Sequence, residues 1–112
     1  MDCIFCKIAA GEIPAKIVFR DGDVVAIEDI DPKAPAHVLV LPVAHHANIG
    51  ALIESGDATL LARLFETASR LGDERGPDGY RLVLNTGEKG GQTVDHLHIH
   101  LLAGRPMTWP PG

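Results

Sequence analysis

Two periods of apolar residues run through this chain, and between them they predict most of its elements. From Asp57 onward Leu60, Leu61, Leu64, Phe65, Ala68 and Leu71 fall on one helical stripe, with Asp57 as the cap and residues 72–79 as the end. Residues 16–20 and 24–28 flank Asp21-Gly22-Asp23, a good hairpin turn. Residues 37–41 form a third apolar strand closed by Pro42, after a loop at Asp31-Pro32-Lys33-Ala34-Pro35. Residues 80–84 make a fourth strand and residues 95–103 a fifth, while residues 3–10 make a short helix ahead of Gly11-Glu12-Ile13-Pro14. Hairpins with one long helix predict an antiparallel sheet with helical cover, the α+β class.

The fifth strand carries the chemistry. In His96-Leu97-His98-Ile99-His100 the apolar residues alternate with imidazoles, so Leu97, Ile99 and Leu101 pack inward and three histidines line the other face. Imidazoles two residues apart on a strand sit about 7 Å apart, close enough to grip one phosphate or one metal ion. On a helix they would fan apart by about 100° each and could not converge. Imidazole can serve as nucleophile, acid, base or metal ligand near neutral pH.

Composition narrows the field. A chain of 112 residues makes one domain, and its formal charge of −5 argues against extended contact with a nucleic-acid backbone. A small anion is still acceptable, because local dipoles can hold it against the global charge. The start, Met1-Asp2-Cys3-Ile4-Phe5-Cys6, has no basic region or apolar stretch of signal length, and no run of about 18 apolar residues is present to cross a membrane. A cytoplasmic protein is expected, its two cysteines thiols or ligands rather than a disulfide. Between the last two strands, Asn85-Thr86-Gly87-Glu88-Lys89-Gly90-Gly91-Gln92-Thr93 holds glycines that permit left-handed backbone and an anion-binding nest, with Gln92 and Thr93 entering the strand just ahead of the histidines.

The run His96-Leu97-His98-Ile99-His100-Leu101-Leu102 resembles the signature of the histidine-triad (HIT) superfamily. Cys3-Ile4-Phe5-Cys6-Lys7-Ile8, Glu12-Ile13-Pro14-Ala15-Lys16, Pro35-Ala36-His37-Val38-Leu39-Val40 and the tail Gly104-Arg105-Pro106-Met107-Thr108-Trp109-Pro110-Pro111-Gly112 are similar to its Hint branch of nucleotide-binding phosphoramidases. The resemblance implies a single HIT-like domain over 1–112: a five-stranded antiparallel sheet with one long and one short helix. It also implies a homodimer joining two sheets through the 80–84 edge, with the 104–112 tail reaching the partner. His98 would be the nucleophile at the α-phosphorus of an adenosine 5′-phosphoramidate or acyl-adenylate. His100 would bond the phosphate and bridging atom, with His100 or Thr93 as the acid for the leaving amine. His96 completes the triad, and His37 would orient it through a relay, unless it is simply a core histidine. Phe5 and Ile30 would meet a purine base, Asp29 the ribose hydroxyls, Asn85 the 5′ oxygen, and Gly91, Gln92 and Thr93 the phosphoryl oxygens. Trp109 would offer the partner's leaving group a flat apolar platform. Transferases of this fold carry Gln where this chain has His100, which favours hydrolysis. The tail favours a phosphoramidase over the dinucleoside-polyphosphate hydrolases, and the intact triad favours an enzyme over a pure nucleotide-binding module. Glu28 and Asp31 depart from the family pattern, which often has His and Ser there.

Cys3 and Cys6, at i and i+3, share one face of the first helix and supply half a zinc site. A reactive dithiol and two core cysteines are the other readings. In zinc-bearing relatives the pair is joined by a His after the third strand and by the first triad His, which implies His45 or the adjacent His46, together with His96. Four protein ligands would make the zinc structural, and no organic cofactor is expected.

Overall fold

The hairpin around Asp21 forms because its carboxylate closes the turn, accepting from the N–H groups of Asp23 and Val24 at 2.8 Å each. In this computed structural model, which describes residues 3–112, that turn joins β1 (Ile17–Arg20) to β2 (Val24–Glu28). Met1 and Asp2, the beginning of the start expected to carry no leader, lie outside the described residues. β2 pairs with β3 (Ala36–Pro42), β3 with β5 (Ile99–Ala103), and β5 with β4 (Tyr80–Val83), giving one antiparallel sheet in the order β1-β2-β3-β5-β4. β4 is an edge strand, as the sequence implied.

Alternation sorts the strand residues onto two faces. Val24, Ala26, Val38, Val40, Ile99 and Leu101 pack beneath the long helix α3 (Ala58–Arg75), whose Leu60, Leu64, Ala68 and Leu71 are buried against them. Val25, Ile27, Leu39 and Leu41 face the short helix α1 (Ile4–Ala9) and its Phe5 and Ile8. The sheet thus lies between α1 and α3, with residues 98 and 100 of the histidine run on the α1 side.

Three expectations change. Phe65 is 42% exposed rather than buried, and Leu61 packs only partly, because both sit to one side of the 60-64-68-71 stripe. Thr67 is buried instead, its hydroxyl donating to the Arg63 carbonyl at 2.8 Å. A third helix, α2 (Ile49–Ser55), was not expected. Asn48 caps it by accepting from Ala51 N–H at 2.9 Å, and Gly56 ends it at φ +80°. Only Leu52 of α2 is buried, so no apolar stripe advertised it. Finally, β5 begins at Ile99, not at residue 95. Leu97 N–H donates to the His46 carbonyl at 2.7 Å, outside the ladder, while the Leu97 side chain still joins Ile99 and Leu101 in the core.

Leu64 is 1% exposed at the centre of the α3–sheet contact. Leu64→Ala should lower unfolding free energy by about 2–5 kcal/mol, the range for a buried leucine leaving a cavity. Urea denaturation with an unchanged m-value checks it, and a loss below about 1 kcal/mol would contradict the packing described.

Candidate active site and metal centre

His96 turns toward Cys3, Cys6 and His45, in a cluster beside the other histidines. Its ring is fully buried, and its Nε2–H donates to the Pro42 carbonyl at 2.8 Å. A carbonyl only accepts, so Nε2 carries the proton and Nδ1 keeps its lone pair. That lone pair points at Cys3 Sγ (3.3 Å), Cys6 Sγ (3.5 Å) and His45 Nδ1 (3.2 Å). Cys6 Sγ lies 3.3 Å from His45 Nδ1, and all four donor atoms fall within 4.8 Å of one another. These separations approach the edge of about 3.5 Å expected for a tetrahedron of zinc–sulfur and zinc–nitrogen bonds. A backbone carbonyl fixing the ring of a ligating histidine is the usual outer support of such a site. Of the two adjacent candidates, His45 is the one that turns inward. Burial, reinforced by the Cys3 thiol, pushes the Cys6 thiol above its ordinary range, so a metal binding here would release protons.

Three of the remaining histidines, His37, His98 and His100, form an ordered array. His98 Nδ1–H donates to the His96 carbonyl at 2.7 Å, which leaves the Nε2 lone pair of His98 free. Phe5 stands edge-on to the His98 ring, 5.0 Å between centroids, and also meets His96 at 5.9 Å. His37 is opposite in character: its Nδ1 accepts the Lys33 N–H at 3.0 Å, so its Nε2 carries the proton. That proton is offered to His100 Nδ1 at 2.9 Å, with Asp29 Oδ2 at 3.5 Å as a second acceptor. His100 therefore presents an Nε2–H, and its ring lies 5.0 Å from that of His98. Asp29, His37 and His100 also cluster within 4.8 Å, but the proton on His37 Nε2 makes them a relay rather than a metal site. Burial first, then the neighbouring His98 and His37, pushes His100 down to about 4. Burial likewise lowers His37, against the pull of Asp29.

Two clefts meet at this chain. One, of about 280 Å³, has apolar walls from Phe5, Ile8, Ile13, Ile27 and Leu39, with Ile30 at its rim. The other, of about 490 Å³, is lined by Asp31, Lys33, His37, Val83, Asn85 and Pro111. Asp29, Thr93 and His100 line both. The glycine loop serves differently than expected. Gly91 N–H donates to the Glu88 carbonyl and Gln92 N–H to the Gly87 carbonyl, each at 3.0 Å. The Gln92 amide donates to the Ala47 (2.7 Å) and Val94 (3.1 Å) carbonyls and accepts from Gly87 N–H (3.0 Å). Gln92 is a clamp that shapes the loop, its donors already engaged. Gly91 lines neither cleft; its φ of +84° turns the chain so that Thr93 arrives at the site. Trp109 is 82% exposed and lines neither cleft, whereas Pro111 of the same tail reaches the polar one. Sequence alone assigned no site role to Lys33 or to the Pro42 carbonyl, because each acts through a backbone atom, and it sent Pro111 with the tail toward a partner.

The lowered histidines predict how stability depends on pH. An unfolded chain binds a proton on His100 near pH 6.5, but the fold refuses it until about 4. The contribution is fully present above 6.5 and is lost as pH falls toward 4. Urea midpoints of metal-free protein should therefore drop between pH 7.5 and 4.5, and His100→Gln should flatten that slope.

Comparison with known proteins agrees with this architecture. The HIT domain family matches residues 10–107. The HIT family hydrolase from Legionella pneumophila superposes with a TM-score of 0.94 at 50% identity, covering 99% of this chain and 100% of that one. A 14 kDa zinc-binding protein of Brassica juncea is 42% identical over 99% of this chain and 100% of its own. Adenylylsulfatase HINT1 of Arabidopsis thaliana is 41% identical over 97% of this chain and 76% of its own. With the family matched over nearly the whole chain and the imidazoles in one ordered array, the protein belongs to the HIT superfamily, in its Hint-like branch.

Proposed function

We propose that this HIT family protein hydrolyses purine nucleoside 5′-phosphoramidates and acyl-adenylates at the α-phosphorus, through a nucleotidyl intermediate on His98. One observation carries the reading: neighbouring imidazoles hold complementary tautomers, a free Nε2 lone pair on His98 and an Nε2–H on His100, where an apolar and a polar cleft meet. The purine base lies in the apolar cleft against Phe5 and Ile30, with Asp29 accepting from the ribose hydroxyls. Asn85 stands near the 5′ oxygen, and Thr93 donates to a phosphoryl oxygen as charge builds.

His98 Nε2 forms the new bond to phosphorus while the P–N bond breaks. The electron pair goes to the leaving nitrogen, which takes its proton from solvent while the neutral His100, supported at Nδ1 by the His37 Nε2–H, hydrogen-bonds to the reacting group through its Nε2–H. The nucleotidyl ring keeps its Nδ1–H on the His96 carbonyl, which steadies the positive charge. Water then attacks phosphorus, releases a proton to solvent and frees His98, so the sum is phosphoramidate plus water to amine plus nucleotide. An adenylylsulfatase among the relatives favours a second substrate for the same step, adenylyl sulfate, whose leaving sulfate needs no proton.

The Cys3, Cys6, His45 and His96 donor set suits zinc, and the Brassica relative is named for binding it. With all four positions filled by protein, zinc would brace α1, and with it Phe5, against the segment ahead of His98, without entering the reaction.

His98→Ala should keep AMP affinity within about tenfold yet remove hydrolysis by several orders of magnitude. Mass spectrometry of a quenched reaction with adenosine 5′-monophosphoramidate should find the adduct on His98 alone. An adduct on His100, or turnover in the variant, would sink the mechanism, and a panel adding adenylyl sulfate and a dinucleoside polyphosphate ranks the leaving groups. Elemental analysis of untagged protein should give one zinc per chain, absent from the Cys3→Ser, Cys6→Ser double variant. That variant should unfold more easily by several kcal/mol, because ligation is coupled to folding.

A further inference from the structure

The direction of the histidine chain is set at His37 Nδ1 by one backbone N–H, that of Lys33, and Lys33 sits in a loop rather than a sheet. Its ammonium is mostly exposed and pairs with Asp31, itself exposed. On its other side the Lys33 carbonyl accepts Nε–H of Arg105 at 3.0 Å, from 72 residues away. Arg105 Nη1 also donates to the Pro106 carbonyl at 3.0 Å, so one guanidinium ties the start of the C-terminal tail to the loop. The approach is close: a Cβ on Gly104, which has φ +96°, would stand 2.8 Å from Pro35 Cβ.

A His37–His100 pair has two neutral arrangements. In the one observed, Lys33 N–H occupies His37 Nδ1, His37 Nε2–H points to His100 Nδ1, and His100 holds its proton outward on Nε2. In the reverse arrangement His37 carries its proton on Nδ1, His100 donates inward, and Nε2 of His100 offers a lone pair that repels a phosphoryl oxygen. Lys33 N–H excludes the second, because two donors would then face each other. The groups facing His37 are Asp29, Asp31, Lys33 and His100, and of these Asp29 Oδ2 also favours the outward arrangement by accepting from Nε2.

We propose that Arg105 is a positioning residue which, by pinning Lys33 from the C-terminal tail, holds the His37–His100 pair with its proton aimed outward at the site. Arg105 lines neither cleft at the histidines and touches no reacting group; it acts through the loop. Its loss leaves Asp29 as the remaining selector, so the two arrangements mix rather than invert.

The direct test is nitrogen-resolved NMR of the imidazoles in the metal-loaded protein at pH 7.5. Wild type should show His37 Nδ1 unprotonated. Arg105→Ala should show a protonated Nδ1 fraction, and Arg105→Lys, which can donate to the same carbonyl, should restore the single tautomer. The kinetic arm rests on the phosphoramidase reading: kcat in Arg105→Ala should fall by up to about tenfold, the effect of one hydrogen bond, with KM for adenosine 5′-monophosphoramidate unchanged and recovery in Arg105→Lys. A single unprotonated Nδ1 in Arg105→Ala, whatever its rate, overturns the proposal, as does mixing that Arg105→Lys fails to reverse. A wild type that holds the tautomer but hydrolyses nothing would count against the phosphoramidase reading alone, leaving the NMR comparison to decide the role of Arg105.

Discussion

The two-residue period of the 97–101 segment is the constraint on which the rest of the molecule hangs. Leu97, Ile99 and Leu101 are driven beneath α3 by the hydrophobic effect, each 1% exposed or less. A one-residue slip would expose all three and bury the wrong residues. Their burial therefore commits His98 and His100 to the opposite face of the sheet, where α1 leaves a cleft instead of a continuous core. The register β3 imposes, Val40 opposite Ile99 and Leu39 opposite His100, then brings His37 within reach of His100. The site is a consequence of packing on the other side of the sheet.

Chemically identical side chains differ here because of the backbone atom each one meets. His96 and His98 meet carbonyls, which fix a proton on the contacted nitrogen and free the other. His37 meets an N–H, which does the reverse. The result is three distinct states of one residue type: a lone pair facing the cysteines on His96, a lone pair free of the backbone on His98 and an outward-facing N–H on His100. Burial adds to this by keeping His100 neutral near physiological pH, so it works as a hydrogen-bond donor and not as a standing cation.

Helix α1 joins the two halves of the site. Cys3 caps it, its Sγ accepting from Cys6 N–H at 3.4 Å, and the same turn delivers both thiols to His96. Between the thiols, Phe5 points to the rings of His96 and His98 and walls the apolar cleft. The Cys3–Cys6–His45–His96 cluster and His98 thus share a short segment, so what holds the one also places the other.

Local pattern alone determined the hairpin at Asp21, the helix capped by Asp57, the alternation of the histidine run and the one-face spacing of Cys3 and Cys6, because each depends on residues within a turn or two of one another. Helix α2 escaped notice because a single buried residue, Leu52, makes no period. Tertiary structure decided the roles. It set His96 against Cys3, Cys6 and His45, engaged the Gln92 amide within its own loop and placed Lys33 behind His37. The physical reason is that a histidine's tautomer follows from whether a donor or an acceptor faces it, and those partners come from far along the chain: 54 residues separate His96 from Pro42, and 63 separate His37 from His100. No local pattern encodes that pairing; only the closed sheet does.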